Sequence, residues 1–361
     1  MAEMGIGGST ASDAQPHSTT HEAVITATSN LGGGTICFAL ESATGQELAD
    51  FEAGSILPLF ISSEETLVGE RFALASSPDE AREGVYRIIV KSSAGGYVAA
   101  HMLANAKAGS RVFLGKPEPN DLFRHLDAGD SIIAIAGGTG IAPFRSLAKA
   151  IAEGSADYRM TLFYRANKLE EFLFRDEWTA FEEQSDGRFC VVPVLTSTQR
   201  EGCERGPITR ELIERYADPA LSSFLICAPG PMVAALRKEL SSLGLPRQRL
   251  RFAFSGDTEF THVGTSSVEH RLTIHMGGET YVIPAREDET ILTAIEKAGL
   301  RPASYCRCGI CGFCESMLSS GIFVLASDEQ GARHIRERNS YIHPCCTYPR
   351  SDMELVVPRA K

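Results

Sequence analysis

The stretch SIIAIAGGTGIAPFRSLAKAIAEG, Ser131 to Gly154, decides how this chain is read. Its first half is a continuous apolar run, as in a strand covered on both faces. Gly137, Gly138 and Gly140 then break the run. In the second half Ile141, Leu147, Ala150 and Ile151 recur at helical spacing. Strand, glycine loop and helix in that order put backbone amides at a helix N-terminus, where amides and dipole favour an anion such as a pyrophosphate. The loop is not G-x-G-x-x-G, and glycines alone are a weak sign.

Working outward, the alternation continues. Strand MTLFYRA, helix EEFLFRDEWTAFEEQ, strand CVVPVLTS, helix TRELIERYA, strand SFLICAPG and helix MVAALRKELSSLG follow in turn. That order implies a parallel sheet with crossover helices over residues 123–257. Upstream, residues 23–122 hold six short runs with β-branched residues and turn signals, which suggests a small antiparallel β-barrel or sandwich. Residues 1–22, rich in Gly, Ser and Thr, read as a disordered tail without the pattern of a secretion signal. Residues 258–269 read as a linker. Residues 270–361 read as an α+β domain: hairpin RLTIHMGGETYVIPA turning at Gly277-Gly278, a helix in DETILTAIEKAGL with Asp288 as N-cap, and a closing strand DMELVVP.

Composition narrows the function. The formal net charge of −11 argues against nucleic acid, which needs a basic surface. No apolar run approaches the roughly 20 residues that cross a bilayer. These features lead to the expectation of a cytoplasmic protein. Of the ten cysteines, Cys37, Cys190, Cys203 and Cys227 are scattered, while Cys306, Cys308, Cys311, Cys314, Cys345 and Cys346 crowd the C-terminal end. Such clustering points to a metal centre. Cys306, Cys311 and Cys314 have the C-x4-C-x2-C spacing of plant-type [2Fe–2S] proteins, whose fourth cysteine lies further on. Cys345 and Cys346 both offer that fourth thiolate. Structural zinc is the rival, but it usually pairs two knuckles and only CGFC, Cys311 to Cys314, supplies one.

From Arg271 to Pro358 the chain resembles the plant-type ferredoxin domain, a β-grasp fold. The resemblance favours Cys345 as fourth ligand, with Thr347 in a small-residue position, and makes Cys308 a neighbour. The motifs GGTGIAPFRS, YRANKLEEFLFRDE and CAPGPMV resemble the nucleotide domain of the ferredoxin–NADP reductase superfamily. The resemblance implies a nucleotide site at Gly137, Gly138, Thr139, Gly140, Pro143, Cys227, Gly230, Pro231 and Met232, with Cys227 and Thr139 beside the nicotinamide. Arg165, Lys168, Thr196, Ser197 and Arg200 end two strands where an adenosine ribose would sit. They lean the cofactor towards NADPH, with NADH left open.

The same superfamily places a flavin-binding barrel before the nucleotide domain. Its R-x-Y-[ST] marker falls on ERFALASSP with Glu70 at the Arg position, Arg71 one residue late, Phe72 at Tyr and Ala73 at Ser or Thr, and Leu74 next. A second marker falls on GGYVAAHML, where the resemblance implies flavin contacts from Gly96, Tyr97, Val98 and Ala99, and Ala99 replaces a serine. Arg71, Lys91 and His101 offer compensating polar groups. Barrel, nucleotide domain and C-terminal ferredoxin in that order resemble the phthalate dioxygenase reductase class. The resemblance implies FMN rather than FAD and a reductase serving the terminal component of a monooxygenase, dioxygenase or demethylase, with a Rieske or haem centre. A stable hetero-oligomeric complex with that component stays open. So does an electron-carrier or scaffold subunit that has lost its flavin.

Overall fold

The computed structural model describes residues 20–63, 66–91, 97–124, 126–197, 200–254, 267–304, 307, 312–325 and 341–359. Strands β1 (His21–Gly32), β2 (Thr35–Ser42), β3 (Ile56–Ser63), β4 (Thr66–Ala73), β5 (Tyr86–Lys91) and β6 (Arg111–Leu114) form one antiparallel sheet in the order β4-β3-β6-β1-β2-β5. Its two edges meet. Leu74 bridges Ile88, and the Ala75 amide donates to the Arg87 carbonyl at 2.8 Å. Closure removes the exposed edges, so this is the barrel of the two expected alternatives. Ile25, Leu40, Leu57, Leu59 and Ile88 fill it. A short helix α1 (Pro78–Arg82) and helix α2 (Tyr97–Asn105) accompany it, and α2 adds buried Val98, Ala99 and Met102 to the same core. The stretch beginning at Tyr97 is thus helical.

The next sheet is parallel. It comprises β7 (Ser131–Gly137), β8 (Arg159–Ala166), β9 (Phe189–Leu195), β10 (Glu204–Arg205), β11 (Ser222–Ala228) and β12 (Leu250–Phe254), ordered β10-β9-β8-β7-β11-β12. Helices α3 (Ala142–Ala152), α4 (Arg175–Gln184), α5 (Arg210–Glu214) and α6 (Gly230–Leu240) cross over it. The continuous apolar run of β7 now has its reason. Ile132, Ala134 and Ala136 face one buried cluster with α3 and α4, while Ile133 and Ile135 face another with α5 and α6. The strand order reverses at β7, so a crevice opens between the C-terminal ends of β7 and β11. Helix α4 starts later than the sequence suggests. Phe172, Leu173 and Phe174 leave the helical path to be buried, with Phe174 at φ 56°, and the Trp178 indole N–H donates to the Leu173 carbonyl at 2.9 Å.

The C-terminal domain has β13 (Glu269–Met276), β14 (Glu279–Arg286), helix α7 (Ile291–Lys297), then β15 (Ser316–Ser320), β16 (Phe323–Leu325), β17 (Tyr341–Ile342), β18 (Thr347–Pro349) and β19 (Met353–Val356). A five-stranded mixed sheet runs β14-β13-β19-β15-β17, and β16 pairs with β18. Ile291, Ala294 and Ile295 of α7 pack on Leu272, Ile274 and Leu355. The N-cap of α7 is Thr290, whose hydroxyl accepts from the Thr293 amide, and not Asp288. The Asp288 carboxylate is held instead by Arg286. Among the described residues no helix is long and apolar enough to cross a membrane.

Candidate functional site

The glycine loop lies at the reversal point of the parallel sheet. Gly138 takes φ +55°, and a side chain there would meet nothing within 4 Å, so this residue faces open space. Gly140 is different. An added Cβ would stand 2.0 Å from the Cys227 carbonyl oxygen. At Gly137 it would stand 2.9 Å from the Met232 sulfur and from Pro229. The glycines expected only to admit a pyrophosphate therefore divide. Gly138 leaves room above the turn, while Gly137 and Gly140 let the two strand ends touch. This contact sets Gly140 against Cys227, with Pro143 in the first turn of α3 and Gly230, Pro231 and Met232 opening α6. The Tyr164 hydroxyl fastens the loop by donating to the Gly138 carbonyl at 3.2 Å and accepting from the Leu173 amide.

Burial pushes the Cys227 thiol up to about 12, so it stays protonated at neutral pH. It offers a neutral, compact surface rather than a thiolate. At the other end of the crevice, β8 and β9 are joined beyond their last paired residues. The Thr196 hydroxyl donates to the Asn167 side chain at 3.0 Å, and the Ser197 amide donates to the Asn167 carbonyl at 3.1 Å. Lys168 and Arg200 are exposed beside them. Arg165 ends β8 next to Gly137 in the register, and its Nε is buried with no hydrogen-bond partner among the described residues. An orphaned guanidinium N–H at a nucleotide crevice suits a phosphate oxygen.

On the barrel, the residues singled out by resemblance lie on or beside β4, β5 and α2. Phe72 points into the barrel core. Arg71 pairs with Glu118 at 2.7 Å. Leu74 is fully buried at the barrel seam, Ala73 packs against the nucleotide domain, and Lys91 ends β5 half-buried. Gly96 lies outside the described residues. Glu70, which stood out in the sequence only as a departure from the marker, has a contact that the sequence did not foretell. It is 8% exposed, and its Oε2 accepts from the Ala99 amide at 3.1 Å, at the N-terminus of α2. A carboxylate thus stands in at the spot where the resemblance puts a flavin phosphate. The amides there fit an anion, as the carboxylate itself demonstrates. Among the described residues there, the acidic Glu70 side chain opposes a phosphate. Tyr97, at the start of α2, lies under the guanidinium of Arg301 from the C-terminal domain, 5.8 Å from its ring centre.

In that domain Cys314 and Cys345 are buried with their sulfurs 3.4 Å apart. They share a cluster with Leu292, Cys346 and Tyr348. The Cys346 thiol turns to the His343 carbonyl at 3.4 Å. Two buried thiols facing each other form a soft donor set of the kind iron–sulfur and zinc centres use. Cys306, Cys308 and Cys311 lie outside the described residues. Between them Arg307 is described, at φ 54°, and forks onto Glu296 of α7 at 2.7 and 2.8 Å. That pair, 10% and 7% exposed, ties the cysteine loop to the helix.

Fold and site together define an oxidoreductase built from modules, with a nucleotide crevice and a sulfur-lined site on one chain. Residues 134–238 match the family described as oxidoreductase NAD-binding domain, and residues 274–350 match the 2Fe-2S iron-sulfur cluster binding domain. Among curated relatives is the ferredoxin reductase component of 3-ketosteroid-9-alpha-monooxygenase of Mycobacterium tuberculosis, 27% identical over 75% of each chain. The carnitine monooxygenase reductase subunit of Escherichia coli is 26% identical over 79% of this chain and 82% of its own. Among solved structures, phthalate dioxygenase reductase superposes with a TM-score of 0.65 at 21% identity, over 94% of this chain and 98% of that one. The three-part architecture expected from sequence is therefore present.

Proposed function

We infer that this protein is the reductase component of an oxygenase system. It takes electrons from NAD(P)H and passes them through flavin and a [2Fe–2S] centre to a terminal oxygenase. The observation that carries the reading is the pairing, in one chain, of a nucleotide crevice with a buried thiol pair, in the same order of parts as phthalate dioxygenase reductase. Flavin, when bound, supplies the conversion of a two-electron hydride into single electrons, and the cluster supplies a one-electron relay. This chain's residues do the rest. The Gly138 turn and Arg165 hold the dinucleotide, with the cation favouring NADPH. The neutral Cys227 and Thr139 border the reacting end of the nicotinamide. The amides at the start of α2, with Tyr97, Val98 and Ala99, receive the flavin phosphate, and FMN is the flavin the architecture favours. Cys306, Cys311, Cys314 and Cys345 ligate the cluster. The 3.4 Å approach of Cys314 to Cys345, with Cys346 turned to a backbone carbonyl, supports that set over one using Cys346. The partner is a Rieske or haem oxygenase in the cytoplasm.

Glu70 favours a second reading, a subunit whose barrel no longer retains flavin and whose ferredoxin domain alone carries electrons. Anaerobic addition of NADPH or NADH to purified protein separates the two. Bleaching of flavin and cluster absorption together supports the reductase. Iron and sulfide without flavin, and no bleaching, supports the carrier and ends the first reading.

A further inference from the structure

Arg145 sits one turn into α3, on the helix that begins at the glycine loop, and its side chain is 4% exposed. A guanidinium has five N–H donors, and all five are placed. Nη1 donates to the Ala75 carbonyl at 2.6 Å and to Glu80 Oε2 at 2.9 Å. Nη2 donates to Glu80 Oε1 at 3.3 Å and to Glu177 Oε2. Nε donates to the same Glu177 oxygen at 3.0 Å. Phe174 lies against the guanidinium, 5.0 Å to its ring centre. Ala75 and Glu80 belong to the barrel, and Glu177 belongs to α4 of the nucleotide domain.

The barrel side is equally determined. Glu80 forms a capping box with Ser77 and also pairs with Arg87 at 3.2 Å. Two cations and two carboxylates thus balance in the seam. Next door, the Gly54 amide of the barrel donates to the Ser146 hydroxyl at 2.9 Å. Barrel residues Cys37, Ala75 and Ile89 share a buried cluster with Phe144 and Leu173. On one side Arg145 is a helical turn, about 5 Å of rise, from the glycine loop. On the other its partner Ala75 is two residues from Ala73, which packs in the same interdomain cluster.

We propose that Arg145 is a positioning residue: its fork fixes the barrel against the nucleotide domain and so sets the approach of nicotinamide to flavin. The proposal rests on the reductase reading. The step it serves is transfer of a hydride, one proton with two electrons, from NAD(P)H to flavin, which leaves NAD(P)+. Lysine does not replace the fork, having three donors around a point charge.

The test uses full-length protein loaded with flavin and cluster, as wild type, Arg145→Lys and Arg145→Gln. Flavin reduction is followed by stopped flow without oxygen. At saturating nicotinamide the rate falls about tenfold or more in both variants, since misplacement near 1 Å costs up to about 100-fold. Flavin affinity changes little, whereas the unfolding temperature falls because Glu80 and Glu177 lose their shared cation, so rates are compared well below it. A saturating rate within about twofold of wild type in folded, flavin-loaded Arg145→Gln overturns the proposal, as does a loss confined to KM. Hydrogen exchange reads the seam without flavin. The Gly54 amide exchanges faster in Arg145→Gln while amides within β1 and β2 do not, and unchanged Gly54 protection overturns the proposal. If no form of the protein holds flavin, the reductase reading fails, and the exchange arm still decides whether Arg145 joins the domains.

Discussion

A single acidic side chain sets the character of the flavin end. Glu70 accepts from the Ala99 amide at the start of α2, so a phosphate bound there as proposed would have to displace the carboxylate. Replacing the carboxylate with an amide keeps the shape and removes the repulsion. Glu70→Gln is expected to bind FMN about tenfold more tightly than wild type, a difference near 1.4 kcal/mol. Fluorescence quenching on titration measures it, and equal affinities rule the effect out. At the other end of the electron path, the two adjacent cysteines face apart. Cys345→Ser is expected to abolish the visible absorption of the cluster, whereas Cys346→Ser retains it. The reverse result would make Cys346 the ligand.

At the scale of elements, two joints govern the site. The glycine loop and the end of β11 pack so closely that Gly140→Ala drives a methyl into the Cys227 carbonyl. The strain is expected to cost roughly 1–3 kcal/mol, seen as a lower unfolding temperature, with nucleotide binding weakened in parallel. The cysteine loop is anchored to α7 by the buried Arg307–Glu296 fork. Glu296→Ala leaves that guanidinium buried without its carboxylate, a change of about 3–5 kcal/mol. Faster loss of iron to a chelator is the readout. How much of this was legible in the sequence depended on whether local pattern or distant contact decided it. The apolar run of β7 announced a strand covered on both faces, and the cysteine spacing announced the kind of centre. Helix α4 began late because Phe172, Leu173 and Phe174 found a core that no periodicity could reveal. The cap of α7 moved from Asp288 to Thr290 because Arg286 claimed the aspartate. Arg145 and Glu296 carry no signal in the sequence, and Glu70 showed only as a departure from a marker, because the partner of each lies far along the chain or across a helix.

At the scale of the whole molecule, the seam between barrel and nucleotide domain is polar at its centre, which makes it sensitive to acid. Burial raises the Glu80 carboxyl, but hydrogen bonds and charge from Arg145, the Ser77 amide and Arg87 outweigh it, and the net displacement is downward. A group whose folded value is depressed adds stability above its unfolded value, near 4.3 for Glu, and that stability is lost as pH falls through the folded value. From neutral pH down to about 5 Glu80 therefore keeps its charge and its contribution to the seam. Below the ordinary carboxylate range Glu80 takes up a proton, two acceptors of Arg145 weaken together, and the buried cation keeps one carboxylate, Glu177, and the Ala75 carbonyl. Hydrogen exchange at the Gly54 amide is expected to stay slow across the upper range and to accelerate below it, before the amides within β1 and β2 respond. In Glu80→Gln the seam is looser throughout and this acid step disappears. An acid step of the same size in Glu80→Gln would assign the sensitivity to another carboxylate and remove Glu80 from the seam's control.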